Sequence, residues 1–226
     1  MKSFLQIILP DEGKYPAGAG IRNRANLQGL SALARGQVVS IPRGDGDGQG
    51  PTVAPLAPDG VAALIDRVHR QQPDFVLVEG VILLAALEAL RAEFPGLPLM
   101  LDMHNVESAL DLANACARYP RPLRPLVRHA HRARLQAAQD AERRAGRLAD
   151  ALWVCSDEDA GLLRGLGIAA PVHVVANPVP DWALAMPDPV PGPRGTDLLF
   201  VGHLRYGPNK RAMAELCRVI LPALTR

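Results

Sequence analysis

Leu99-Met100-Leu101-Asp102-Met103-His104-Asn105-Val106-Glu107-Ser108 decides the fold. A run of strand length, apolar except for one acid, gives way at once to polar residues and then to a helix-forming stretch. Buried strands of this kind occur in parallel sheets covered on both faces. In such sheets ligands meet the C-terminal ends of the strands, which is where His104, Asn105 and Glu107 stand. The same alternation extends in both directions. Upstream, Phe4–Leu9, Gln37–Ile41 and Phe75–Val78 read as strands. Between them lie a helix over Asn23–Ala34, with Leu27, Leu30, Leu33 and Ala34 on its core side, and a helix over Asp59–Gln72. Asp59 is the expected N-cap of the latter, and Val61, Leu64, Ile65 and Val68 its core face. Arg43–Pro58, rich in Gly, Asp and Pro, reads as a surface loop. Ile82–Glu93 is the next helix. Downstream, Ser108–Ala149 is helical with a break near Tyr119–Pro125, where three prolines fall. Ala151–Cys155 and Val172–Val175 are strands around a helix over Asp157–Leu166. The expectation is an α/β Rossmann-like domain over residues 1–176, a parallel sheet with helices on both faces.

The composition then changes. Residues 177–196 hold six prolines and no apolar periodicity, the mark of a linker. Residues 197–226 read as one βα unit of a second domain, a strand over Leu198–Val201 and a helix over Asn209–Leu221. A single βα unit cannot bury its own apolar face, so this second domain reads as incomplete.

Composition excludes several classes. Hydrophobic residues make up 48% of the 226 and charged residues 21%, which supports a sizeable core. Aromatics at 4% and a net charge of +2 argue against a nucleic-acid platform. Cys116, Cys155 and Cys217 are odd in number and widely spaced, so neither a disulfide framework nor a zinc site follows, and a reducing cytoplasm fits. No run approaches the roughly 18 apolar residues of a membrane span. Phe4–Leu9 is followed by Pro10-Asp11-Glu12, which makes a poor export signal and a good first strand.

The chemistry-bearing residues follow the strands. Pro16-Ala17-Gly18-Ala19-Gly20-Ile21-Arg22 comes after the first, and its glycines would let backbone amides reach an anion at a helix start. It fails as a dinucleotide fingerprint, because Asn23 stands where the third glycine belongs and Ile41-Pro42 where an acid is needed. A nicotinamide-dependent oxidoreductase is therefore disfavoured, and a plain strand-to-helix turn explains the glycines equally. Glu79-Gly80 ends the third strand. His104 can donate, accept or change charge near neutral pH, or simply satisfy a strand end. Ser156-Asp157-Glu158-Asp159 is explained by an N-cap followed by first-turn acids.

Four segments in order carry a resemblance. They are His104-Asn105-Val106-Glu107-Ser108, Ala149-Asp150-Ala151-Leu152-Trp153-Val154-Cys155-Ser156, Val174-Val175-Ala176-Asn177-Pro178-Val179 and Phe200-Val201-Gly202. Together they resemble the family-4 retaining glycosyltransferases. The stretch from Phe200 to Asn209, with Ile220-Leu221-Pro222, is similar to the branch found with exopolysaccharide and exosortase-type gene clusters. The resemblance implies a GT-B fold whose N-terminal domain binds an acceptor, a glycan or a lipid-linked molecule, and whose C-terminal domain binds a nucleotide sugar. It implies transfer with retention, no cofactor and no obligatory metal. By the match Gly18 and Gly20 lie by the donor phosphates and His104 at the transferred sugar. Arg22, Glu79, Gly80, Asn105 and Glu107 line the substrate site. Gly202 lies by the diphosphate, with Arg205, Lys210 and Arg211 as candidate neutralising cations. The family's Glu-x7-Glu region has no counterpart here, so the chain alone is expected to be inactive. The competing reading is a non-catalytic Rossmann-like module that docks on a membrane or a protein.

Arg118–Arg147 holds nine arginines and two acids, a segment charge of +7 in a chain of +2. Arg124, Arg128 and Arg132 fall four residues apart, on one face of a helix expected over Leu126–Arg147. An anionic membrane surface is a candidate partner, which would put the protein on the inner face of the plasma membrane. A solvated helix face whose arginine stems cover the core is the alternative.

Overall fold

The central strands of the first domain are too apolar to leave a face in water, and each predicted strand finds a partner on one shared sheet. The computed structural model describes residues 1–10, 18–45, 52–179, 181–187, 198–202, 204 and 206–224. The strands are β1 (Ser3–Ile8), β2 (Arg35–Ser40), β3 (Phe75–Glu79), β4 (Leu99–Met103), β5 (Ala151–Val154) and β6 (Val172–Val174). They form one sheet in the order β2-β1-β3-β4-β5-β6, every pair parallel. This is an α/β Rossmann-like fold. The order reverses beside β1, since β2 lies on one side and β3 on the other. Such a switch point opens a crevice at the strand tips.

The helices are α1 (Gly18–Ser31), α2 (Pro58–Gln71), α3 (Leu84–Glu93), α4 (Glu107–Cys116), α5 (Arg124–Ala130), α6 (Arg132–Leu148) and α7 (Asp157–Gly165). In-register residues share a face of the sheet. Ile7, Val78, Leu101 and Leu152 form one such row, and all are fully buried. Leu64 and Val68 of α2, Leu84, Leu87 and Leu90 of α3, Ala141 and Ala145 of α6 and Leu163 of α7 join that row in one apolar core. The neighbouring row on the opposite face is Glu79, Asp102 and Trp153, and α1 lies over it.

Several sequence expectations are corrected. α1 begins at Gly18 rather than Asn23, and its buried residues are Arg22 and Asn26. Leu33 lies beyond the helix and is 78% exposed. The helix turns polar groups inward because two carboxylates wait beneath it. The segment read as a surface loop, Arg43–Pro58, folds back at its second half. Arg43 bridges Leu56, Ala54 N donates to Ile82 O, and Val53 packs in the core. Pro58 occupies the first turn of α2 and Ala57 the N-cap, in place of Asp59. The long helical region breaks a second time, at His131, so Arg132 opens α6 and does not continue the row of Arg124 and Arg128. Ser156 caps α7 as expected, accepting from Asp159 N.

The chain divides into two compact units, Met1–Leu184 and Ala185–Arg226. The first ends with the short helix α8 (Asp181–Leu184). The second contains α9 (Gly207–Glu215), a wider turn over Leu216–Ile220, and α10 (Leu221–Leu224). Leu198–Val201 is not a strand. A strand is defined by hydrogen bonds to a neighbour, and none is available among the described residues of this unit. Leu198, Leu199 and Val201 are accordingly exposed.

Candidate functional site

A cleft of about 820 Å³ opens at the C-terminal edge of the sheet, over the switch point. Gly18, Gly20, Arg22, Glu79, Gly80, His104, Asn105 and Glu107 all line it. Convergence follows from topology, since each residue stands directly after a parallel strand or at the start of the helix that follows one. Ile8, Leu9, Leu27, Val38, Val81 and Ile82 supply apolar walls, and Asn177 and Pro178 a far rim. Gly80 has φ +96°, a conformation that strains any residue with a Cβ, and it turns the chain sharply from β3 into the following helical turn.

Under the cleft lies a closed polar network. Arg22 is 2% exposed and holds Asp102 with two bonds, Nε to Oδ2 at 2.6 Å and Nη2 to Oδ1 at 2.7 Å. Its third nitrogen donates to Val175 O at 2.8 Å and Asn177 Oδ1 at 3.1 Å. Arg22 therefore ties α1 to β4 and to the segment after β6. Burial works against its charge, but the bonds to Asp102 outweigh that, and its pKa lies above the ordinary arginine value. Asn26 Nδ2 donates to Asp102 Oδ2 at 2.6 Å and reaches both oxygens of Glu79. Gln6 Nε2 donates to Glu79 Oε1 and, at 2.7 Å, to Asn23 O.

His104 sits at the top of this network, with its side chain 18% exposed. Its Nε2 is 3.1 Å from Glu79 Oε2 and 3.6 Å from Asp102 Oδ2. With its nitrogen turned toward them, the Asn23 amide lies 3.0 Å from His104 Nε2, 3.2 Å from Glu79 Oε2 and 2.9 Å from Ala19 O. Cys155 Sγ donates to His104 O at 3.1 Å and fixes the backbone there. Burial raises the pKa of Glu79, as does the nearby Asp102 charge, while bonds from His104 and Gln6 pull it back. Glu79 Oε2 and His104 Nε2 thus stand within hydrogen-bond reach of each other at the floor of the cleft. Burial also raises the pKa of Glu107, opposed by its bond from Asn105.

One ligand atom each from Glu79, Asp102 and His104 lies within 4.8 Å of the others. A cation there would have to displace the guanidinium that already occupies both Asp102 oxygens, so the set is better matched to Arg22 than to a metal. The sequence did not single out Gln6, Asn23 or Asn26. The signal was present, because Gln6 and Asp102 are polar residues inside otherwise apolar strands.

Of the residues expected near the diphosphate, Gly202, Lys210 and Arg211 are described, and Arg205 lies outside the described residues. A Cβ at Gly202 would come 2.9 Å from Asn209 Nδ2, so this turn packs closely on the start of α9. Lys210 is exposed and Arg211 half-buried. Among the described residues no helix is long and apolar enough to cross a membrane. Comparison with curated proteins gives no match. The family model of the glycosyl transferase 4-like domain matches residues 16–178, which include all of the cleft's polar lining except Gln6, and the chain belongs to that family.

Proposed function

We propose that this protein transfers a sugar from a nucleotide-sugar donor to a glycan or lipid-linked acceptor, with retention of configuration, in the assembly of a polysaccharide or glycoconjugate. The observation that carries the reading is His104. It is a partly exposed imidazole at the floor of a sugar-sized cleft, held from below by a buried glutamate. In this scheme His104 meets the transferred sugar, and Glu79 positions its imidazole. The backbone amides at Gly18 and Gly20, which line the cleft at the start of α1, face donor phosphate, where the helix dipole favours an anion. Asn105 and Glu107 meet sugar hydroxyls. On the second unit the residues assigned to the diphosphate are Gly202 and one cation from Arg205, Lys210 and Arg211. No cofactor enters the scheme, and the charge work is done by protein groups. Three free cysteines fit a cytoplasmic setting.

Arg22 lines the cleft with its guanidinium bonded to Asp102, and in this scheme it holds the start of α1 in place at the substrate site.

The test compares nucleotide binding with turnover. In the active enzyme, His104→Ala should lower kcat by about 100-fold or more while changing nucleotide affinity little, because the contact acts mainly in the transition state. Equal losses in kcat and in affinity would remove His104 from the reaction centre. Failure of any nucleotide sugar to act as donor would remove the proposal.

A further inference from the structure

Nine arginines lie between Arg118 and Arg147, and the structure sorts them into two groups. Arg134 pairs with Asp111 at 2.6 Å, Arg143 with Asp140 at 2.9 Å, and Arg144 with Glu88. Arg118, Arg121, Arg124, Arg128 and Arg132, with Arg147 at the far end of α6, are exposed and have no ion pair among the described residues. No acid occurs in the sequence from 112 to 139, so nothing local in the chain offsets the first five.

The same segment displays apolar side chains outward. Tyr119, Leu123 and Leu126 are exposed, Leu126 by 67%; Leu123 and Leu126, three residues apart where the 3-10 turn runs into α5, fall on one side. The inner side of α5 is already satisfied, since Val127 packs against Ala115 and Cys116. The short helix thus has one apolar side buried and another facing out, with arginines between. A lone exposed leucine needs no explanation; two leucines at helical spacing with a tyrosine nearby in the chain, all exposed among unpaired cations, do.

The position of α5 adds to this. The 17-residue α6 is about 25 Å long, against about 17 Å for the five-residue β4. α6 ends at Leu148, just before β5 begins, so its first turns and α5 stand beyond the C-terminal edge of the sheet. That is the edge where the cleft opens.

We propose that the turn before α5, together with α5, docks on an anionic lipid surface, with Leu123, Leu126 and Tyr119 entering the headgroup boundary and Arg118, Arg121, Arg124 and Arg128 meeting lipid phosphates. Charge complementarity selects this occupant. A surface of one sign, with short apolar side chains interleaved, matches a layer that is anionic outside and apolar beneath. A protein partner would ask for a larger apolar centre and a rim of mixed hydrogen-bonding groups. The membrane contact moves from the single long helix face expected from the sequence to a shorter, doubly amphipathic element at the cleft edge.

The experiment is co-sedimentation of the full chain with vesicles of phosphatidylcholine alone and of phosphatidylcholine with an equal part of phosphatidylglycerol, at low and high salt. Binding should require the anionic lipid and weaken as salt rises. Arg124→Glu with Arg128→Glu should reduce it by at least about 25-fold, at about fivefold for each arginine removed. Leu123→Ser with Leu126→Ser should reduce the part that survives high salt. All four positions are exposed, and circular dichroism of each variant verifies that the fold is kept. Equal binding of neutral and anionic vesicles at low salt overturns the proposal. So does wild-type binding by the charge-reversed variant, and so does capture by an acidic protein without any vesicle binding.

Discussion

The two faces of this one sheet obey different rules. On one, Ile7, Val78, Leu101 and Leu152 line up across four strands and pack against α2, α3, α6 and α7. On the other, a single residue further along, Glu79, Asp102 and Trp153 line up under α1. The apolar row is fully buried, and of the polar row Glu79 and Asp102 are buried while Trp153 is half-buried. The apolar face is held by area removed from water, which is tolerant of small changes in shape. The polar face is held by a set of bonds that must all be present, because a buried group without a partner costs far more than a satisfied one returns. The lesson is where function can be built. Only the second face ends in groups that change charge, and it ends at the cleft.

Removing one member of the ion pair is the largest expected break. Asp102→Ala leaves the Arg22 guanidinium buried and unpaired, and should cost about 3–5 kcal/mol by urea denaturation. Arg22→Met combined with Asp102→Leu should recover much of that loss, since an apolar pair of similar volume needs no partner. If the double variant is as unstable as Asp102→Ala, the polar face is not governed by unpaired charge. On the other face Leu101→Ala should cost about 2–4 kcal/mol through lost burial and a residual cavity. No second substitution of a polar partner will rescue it, and that contrast is the sharper measurement.

Much of this architecture is legible in the sequence. Parallel strands buried on both faces read as apolar runs, and the reading places β4 residue for residue at Leu99–Met103. The cleft residues follow from the rule that loops after parallel strands carry ligands. The polar layer is not legible, because period and hydropathy say only that Gln6, Asn26 and Asp102 are polar. That they meet across β1, α1 and β4 depends on register, which a single sequence does not fix. The second unit misleads for the opposite reason. Leu198–Val201 has strand composition, but a strand exists only beside another.

Glu79 gives the pH test. Its pKa is raised by burial, so the folded state binds its proton more tightly than the unfolded chain does. Its contribution to stability is therefore greatest below the ordinary glutamate value of about 4.3 and is lost as pH rises through the folded value. Glu79→Gln cannot titrate, and the variant should lose less stability than wild type across that window. Urea midpoints measured from acid to neutral pH decide it, and parallel curves would mean that Glu79 folds with an ordinary pKa. Glu142 offers a smaller case on α6. Its carboxylate accepts from Ser108 N at 2.9 Å and Ser108 Oγ at 2.6 Å, which caps α4 from a distant helix. Glu142→Gln keeps the shape and loses one acceptor, and should cost about 1 kcal/mol.

The smallest effect concerns α1 and tests how its burial is read. The apolar spacing of Leu27, Leu30 and Leu33 predicts an inward leucine face, yet the structure buries Arg22 and Asn26 and leaves Leu33 in water. Leu33→Lys should then shift stability by less than about 0.5 kcal/mol, the ordinary range for a surface change. If Leu33 packed on the core, the same substitution would strand a charge and cost several kcal/mol. The matched experiment is Asn26→Leu, which adds apolar character where the leucine pattern would welcome it. It removes the amide that donates to Asp102 Oδ2 at 2.6 Å and reaches Glu79, and should cost about 1–3 kcal/mol. Denaturant midpoints of the two variants decide between the faces. A tolerated Asn26→Leu beside a damaging Leu33→Lys would turn α1 over and take the polar layer away from the cleft.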